Sequence, residues 1–139
     1  MSVGILVALV TGVAIAGQVA IVGRTSARVH PLAISFALQA AGVLVGLAWV
    51  LWSRSWPGVS EVARAGWWIP LGVLGWVVVA ALGFSSARLG TGATLALAIT
   101  AQVVAGLTLD RLTGSLELGL PQVAGAALLV VGAALVVWR

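Results

Sequence analysis

The segment TGATLALAITAQVVAGLTLD, residues 91–110, constrains the fold most strongly. Its first 19 residues carry no charge, and a helix of that length reaches about 28 Å, the hydrocarbon thickness of a bilayer. The segment therefore predicts a membrane-spanning helix. Gln102 lies near its middle, where lipid cannot replace the hydrogen bonds that water gives to an amide. We therefore expect Gln102 to face protein or a cavity.

The composition extends this interpretation to the whole chain of 139 residues. Of these, 62% are hydrophobic and only 7% are charged, far from the roughly 25% charged residues of a soluble domain. The mean hydropathy is +1.21, which indicates an integral membrane protein. The seven basic residues are all arginines scattered between apolar segments, so they form no patch that could follow a phosphate backbone, and nucleic-acid binding is not expected.

The apolar segments predict an all-α membrane protein with five transmembrane helices in one domain, residues 1–139. The predicted spans cover approximately residues 3–22, 31–52, 67–84, 91–109 and 121–138. No basic residue precedes the first span, which argues against a cleaved signal peptide and favours a retained helix. The stretch between spans two and three is interpreted as a polar boundary segment, and residues 85–90 as the short loop between spans three and four.

Several polar or aromatic side chains lie inside the predicted spans and are candidates for contact with a solute: Gln18, Ser35, Gln39, Trp76 and Gln102. Ser35 and Gln39 are four residues apart and share a helix face with Gly42 and Gly46. Alternatively, Gln18 bonds a neighbouring helix, and Trp76 packs against one instead of lining a cavity.

Tryptophans mark one predicted membrane boundary. Trp52, Trp56, Trp67 and Trp68 flank the polar segment 53–66, and tryptophans are enriched at headgroup depth. The alternative is that these tryptophans form an aromatic cage that binds a cation. His30, beside the start of span two, is expected to be an interfacial anchor and not a proton carrier.

Asp110 ends span four immediately before Arg111. A carboxylate at this position opposes the helix dipole and would usually be solvated or paired with the adjacent guanidinium. The functional alternative is that Asp110 binds the proton or cation that is coupled to transport, at one mouth of the pathway.

The arginines show almost no bias between the two sides of the predicted bundle. One side carries Arg24, Arg28, Arg88 and Arg139, and the other carries Arg54, Arg64 and Arg111. A chain of fixed orientation normally has a clear excess of basic residues on its cytoplasmic side. The balance therefore predicts insertion in both orientations and an antiparallel, dual-topology homodimer that reproduces the inverted repeat of many transporters. Gly125 and Gly132, a heptad apart in span five, are the candidate subunit interface.

Over nearly its whole length, the chain resembles the YdcZ-type family of the drug/metabolite transporter (DMT) superfamily. The matching positions are Gln18, Pro31, Phe36, Trp67, Trp68, Gly72, Gly75, Leu89, Gly90, Gln102, Leu109, Asp110, Gly114, Gly125 and Gly132. Gly23, Leu71 and Ala101 depart from the residues typical of that family. The resemblance implies a small transporter of the bacterial inner membrane that moves small metabolites, cations or drugs. Unlike the small multidrug resistance branch, the first span has no carboxylate.

Together these observations predict a secondary transporter or exporter working as an inverted homodimer by alternating access. Its expected partners are a second copy of itself, membrane lipids and a small-molecule substrate. We expect no cofactor, no metal site and no enzymatic activity, because the spans carry no nucleophile with a base and no paired carboxylates. The rival hypothesis is a structural or accessory membrane protein whose glutamines pair with one another.

Overall fold

The computed structural model describes residues 2–114 and 119–138, and this part of the chain contains helices and no strand. The helices are α1 (Ser2–Ser26), α2 (Pro31–Ser53), α3 (Trp56–Ala65), α4 (Trp68–Leu89), α5 (Thr91–Leu112) and α6 (Leu120–Val137).

Every one of these helices except α3 is long and apolar enough to cross a membrane, which confirms the prediction of five spans. The boundaries differ at two places. The loop predicted at residues 85–90 is wrong, because α4 continues to Leu89 and only Gly90 separates it from α5. Residue 110 lies inside the last turn of α5, which ends at Leu112. In the predicted loop after α5, residues 115–118 lie outside the described part, as does Arg139.

The segment between the second and third spans forms a helix, α3, which the sequence analysis did not predict. Pro57 fits its first turn, where a missing backbone N–H costs nothing. Gly66 ends α3 with φ 74°, a left-handed conformation that favours glycine. At ten residues, α3 is only about 15 Å long and does not cross a bilayer.

The chain divides into two compact units: residues 18–87, and residues 1–17 with 88–139. Within the first unit, the end of α1 packs closely on α4. A Cβ atom added to Gly83 would come within 2.6 Å of Val22 Cγ1 and 2.8 Å of Ser26 Oγ. Gly23 on α1 meets Ser86 on α4 at similarly close range. Glycine on each helix therefore permits the close approach.

Within the second unit, α5 and α6 are antiparallel neighbours. The hydroxyl of Thr100 donates a hydrogen bond of 3.3 Å to the carbonyl oxygen of Leu129. Ala133 is buried, whereas Cβ atoms added to Gly125 or Gly132 would meet nothing within 4 Å. The glycine positions of α6 therefore stay open.

Apolar side chains are mostly outward-facing. In the described part of the chain, the buried hydrophobic residues are only Val19, Val22, Ala80 and Ala133. In α2 the one buried residue is a serine, Ser35. Such surfaces require a non-aqueous environment, since large exposed apolar patches on a soluble protein would drive association.

The one-residue link between α4 and α5 depends on glycine. Gly90 has φ 82° and ψ 159°, a backbone region that is essentially restricted to glycine. Any side chain here would strain the single residue that links two 22-residue helices.

We predict that Gly90→Ala lowers the free energy of unfolding by about 1–3 kcal/mol, because alanine at this φ is strained. Gly92→Ala is the matched control. It lies two residues later in helical backbone with open space around an added Cβ, so it should be neutral or stabilise by up to about 1 kcal/mol. Unfolding in detergent, followed by circular dichroism, measures both. Equal stability of the two variants would contradict the role of this turn.

Candidate functional site: a groove between α2 and α4

The first turn of α2 is fixed by its cap. His30 precedes the helix, and its Nδ1 accepts a hydrogen bond of 3.4 Å from the backbone N–H of Leu32. Pro31 occupies the first helical position, where its fixed φ suits the helix. His30 is exposed and serves here as a helix cap.

Two hydrogen bonds join α2 to α4 around Trp76. The hydroxyl of Ser35 donates to the carbonyl oxygen of Trp76 at 2.6 Å. In return, Nε1 of Trp76 donates to the carbonyl oxygen of Leu32 at 3.2 Å. Ser35 is fully buried and Trp76 is half-buried. The indole is therefore held by its own bond to Leu32, and the bond from Ser35 holds the backbone of Trp76 against α2.

Next to Trp76, α2 and α4 enclose a groove of about 470 Å³. Its lining residues are Phe36, Gln39, Gly42, Val43, Gly72 and Trp76. A Cβ atom added to Gly75 would lie 3.4 Å from Nε2 of Gln39, so glycine at this position leaves room for the amide. The groove thus combines one amide with two aromatic rings, and none of its lining residues is charged.

The groove contains two of the predicted solute contacts, Gln39 and Trp76. Ser35 lies directly behind it, but its hydroxyl is already used in the bond to Trp76. Gln18 belongs to the same unit, whereas Gln102 belongs to the other. The side chains of all three glutamines are exposed. Within residues 2–114 and 119–138, no hydrogen bond involves any of these three amides.

Comparison with known families decides what kind of protein carries this groove. The sequence model of the DMT_YdcZ family, described as "Putative inner membrane exporter, YdcZ", matches residues 3–135. The chain belongs to the DMT_YdcZ family. The match confirms the resemblance drawn from the sequence and, with the five spans, an inner-membrane location. No curated protein and no solved structure matches the chain.

DMT_YdcZ is a family of membrane transporters and not of enzymes. In the described part of the chain, no three His, Cys, Asp or Glu residues are grouped as they would be around a metal ion.

Asp110, the residue considered for coupling in this DMT_YdcZ member, is half-buried in the last turn of α5. Its backbone carbonyl oxygen accepts a hydrogen bond of 3.3 Å from the hydroxyl of Thr113. Asp110 therefore lies near the end of a candidate span and not at its centre.

Sequence reasoning missed part of the groove lining. Phe36 and Gly72 were noted only as family-like positions, and Val43 was not noted at all. The spacing carried a signal, because Phe36 and Val43 lie three and four residues from Gln39, and Gly72 lies four from Trp76. Residues so spaced share a helix face. Which helices meet on those faces could not be deduced from spacing alone.

We predict that Ser35→Ala lowers the free energy of unfolding by about 0.5–1.5 kcal/mol, because it removes a buried hydrogen bond between two helices. Ser53→Ala is the matched control: Ser53 Oγ donates to Trp49 O of its own helix at 2.7 Å and is exposed. In unfolding experiments in detergent, Ser53→Ala should therefore lower the free energy of unfolding less than Ser35→Ala does. A larger loss for Ser53→Ala would argue against the importance of the bond to Trp76.

Proposed function

We propose that the protein exports a small, neutral or weakly polar solute across the inner membrane, and that the α2–α4 groove binds this solute. Membership in a family of inner-membrane exporters supports the activity. The observation that carries the site is the position of Gln39, which lines the groove together with Phe36 and Trp76.

The chemistry of the groove favours an uncharged ligand. The amide of Gln39 supplies both donors and an acceptor, and the two rings supply flat apolar walls. No carboxylate lies in the groove lining, so a cation would be held only by π and dipole contacts. In this proposal Ser35 positions Trp76 through their hydrogen bond, and does not touch the solute.

The exposed amides support assembly with a second copy. Three side-chain amides on uncharged spans form no hydrogen bond with any other described residue. If they faced lipid, they would raise the free energy of the folded protein, because no water replaces the missing partners. We propose that an inverted second copy covers these faces, so that Gln18 and Gln102 also line the pathway. The near balance of the arginines supports the two orientations that such a dimer needs.

The open face of α6 is the proposed contact between the copies. Gly125 and Gly132 border a groove of about 500 Å³ along α5 and α6, and no atom lies within 4 Å of a Cβ added at either glycine. Small residues of this kind allow another helix to approach closely. Transport would follow exchange between two arrangements of the dimer, with Asp110 as the candidate coupling group at the mouth of the pathway.

The decisive experiment removes the amide of Gln39. Neutral metabolites and quaternary amines are first screened for compounds that raise the melting temperature of the purified protein, since a ligand at 100 times its Kd stabilises by about 2.7 kcal/mol. We predict that Gln39→Leu abolishes the shift given by these compounds and their flux into proteoliposomes. Gln122→Leu, the same change on α6 outside the groove, should retain both.

Gln39→Leu and a second variant, Gln102→Leu, separate the proposal from its rival, a structural membrane protein whose glutamines hold the assembly together. For a scaffold, Gln39→Leu and Gln102→Leu would dissociate the dimer, measured by crosslinking in membranes. For an exporter, both variants should assemble and lose flux. A Gln39→Leu protein with full flux would overturn the assignment of the groove.

Orientation is tested separately with single cysteines, since the native chain has none. Arg24 and Arg54 lie beyond opposite ends of α2, so Arg24→Cys and Arg54→Cys report the two sides of the membrane. We predict that an impermeant maleimide labels each variant partially in intact cells, and the remainder only after permeabilisation. Complete labelling of one variant with no labelling of the other would rule out dual topology.

A further inference from the structure

The short helix α3 separates its apolar and polar residues onto two sides. At about 100° per residue, most of its apolar side chains fall within a sector of about 120°. They are Trp56, Val59, Val62 and Ala63, whereas Pro57 and Ala65 lie outside the sector. Glu61 and Arg64 lie on the other side of the helix, and Ser60 lies at the edge of that side, about 40° from Trp56. This distribution is typical of a helix that lies in a membrane interface.

The apolar side of α3 is left partly uncovered by the described residues of the chain. Trp56 is 50% exposed, Val59 40% and Val62 41%. A groove of about 600 Å³ runs between this side and the start of α4, where Trp68 forms part of its wall. Nε1 of Trp68 donates a hydrogen bond of 3.3 Å to the carbonyl oxygen of Ala63, which ties the end of α3 to α4.

The neighbouring helices confine α3 to the membrane surface. The pairing of Ser35 with Trp76, and the proximity of Gln39 to Gly75, make α2 and α4 antiparallel. The end of α2 and the start of α4 therefore lie at the same face of the bilayer. Two residues join α3 to each of them, and two extended residues reach only about 7 Å. Both ends of α3 therefore stay close to the membrane face at which α2 ends and α4 begins.

We propose that α3 lies in the plane of the bilayer surface and docks its apolar side onto the lipids of that leaflet. Val59 and Val62 insert at the boundary between headgroups and acyl chains, and lipid fills the groove beside Trp68. Glu61 and Arg64 face water. Trp56 and Trp68 sit at the depth that tryptophan prefers. This surface binds lipid whether or not the protein transports a solute, so the proposal is independent of the function of the α2–α4 groove.

Spin labels test the proposal in the full chain. The variants Val59→Cys, Val62→Cys, Ser60→Cys and Glu61→Cys are labelled with a nitroxide and reconstituted into vesicles of phosphatidylethanolamine and phosphatidylglycerol. Oxygen partitions into lipid, whereas a nickel chelate stays in water. We expect the ratio of oxygen to nickel collision rates to be several-fold higher at positions 59 and 62 than at positions 60 and 61.

Two results would overturn the proposal. Equally high nickel accessibility at all four positions would mean that α3 stands in water. Low accessibility to both reagents at positions 59 and 62 would mean that protein covers them. That protein is a second copy if the spectra show spin–spin broadening at these positions and the broadening disappears when the labelled chain is diluted with unlabelled chain. All four native side chains are exposed, and each labelled variant is compared with the wild type by gel filtration to verify folding.

Discussion

The fold depends on one constraint: within a bilayer, a polar group must find its hydrogen-bond partner inside the protein. The backbone satisfies this constraint by forming helices. Thr25 and Thr108 follow the same rule, because their hydroxyls donate to carbonyl oxygens one turn earlier in their own helices. Ser35 instead bonds to a carbonyl oxygen of a different helix. A side chain that could have been satisfied locally thus joins α2 to α4.

Glutamine cannot satisfy its amide so simply, because it has two donors and an acceptor at the end of a flexible chain. This distinguishes Gln18, Gln39 and Gln102 from the serines and threonines. Their exposed amides give this protein polar faces on otherwise apolar spans. A groove that offers an amide without a fixed charge can select a solute by hydrogen bonding and shape, and such a site avoids the cost of keeping an ion in the membrane.

Close packing in this chain relies on glycine at a few specific places. Gly83 lets α4 approach Val22 of α1, and Gly75 leaves room for Gln39. Gly90 has a different role, because its positive φ turns the chain within a single residue. Most of the other apolar side chains in the described part of the chain are outward-facing, so the surrounding lipid contributes to the final stability.

The sequence by itself determined the membrane environment and the five spans, because long uncharged apolar segments have no stable alternative in water. The family also followed from the sequence, through its matching residues. It also identified Gln39 and Trp76 as polar or aromatic residues within spans. Only the tertiary structure decided that both line one groove, and that the Ser35 hydroxyl is used behind it. Helical periodicity defines the faces of a single helix, whereas the pairing of α2 with α4 depends on contacts between residues about 40 positions apart. The helix α3 escaped the sequence analysis for a related reason: its ten residues are too short and too polar for a span, and its amphipathic side became evident only once the helix boundaries were known.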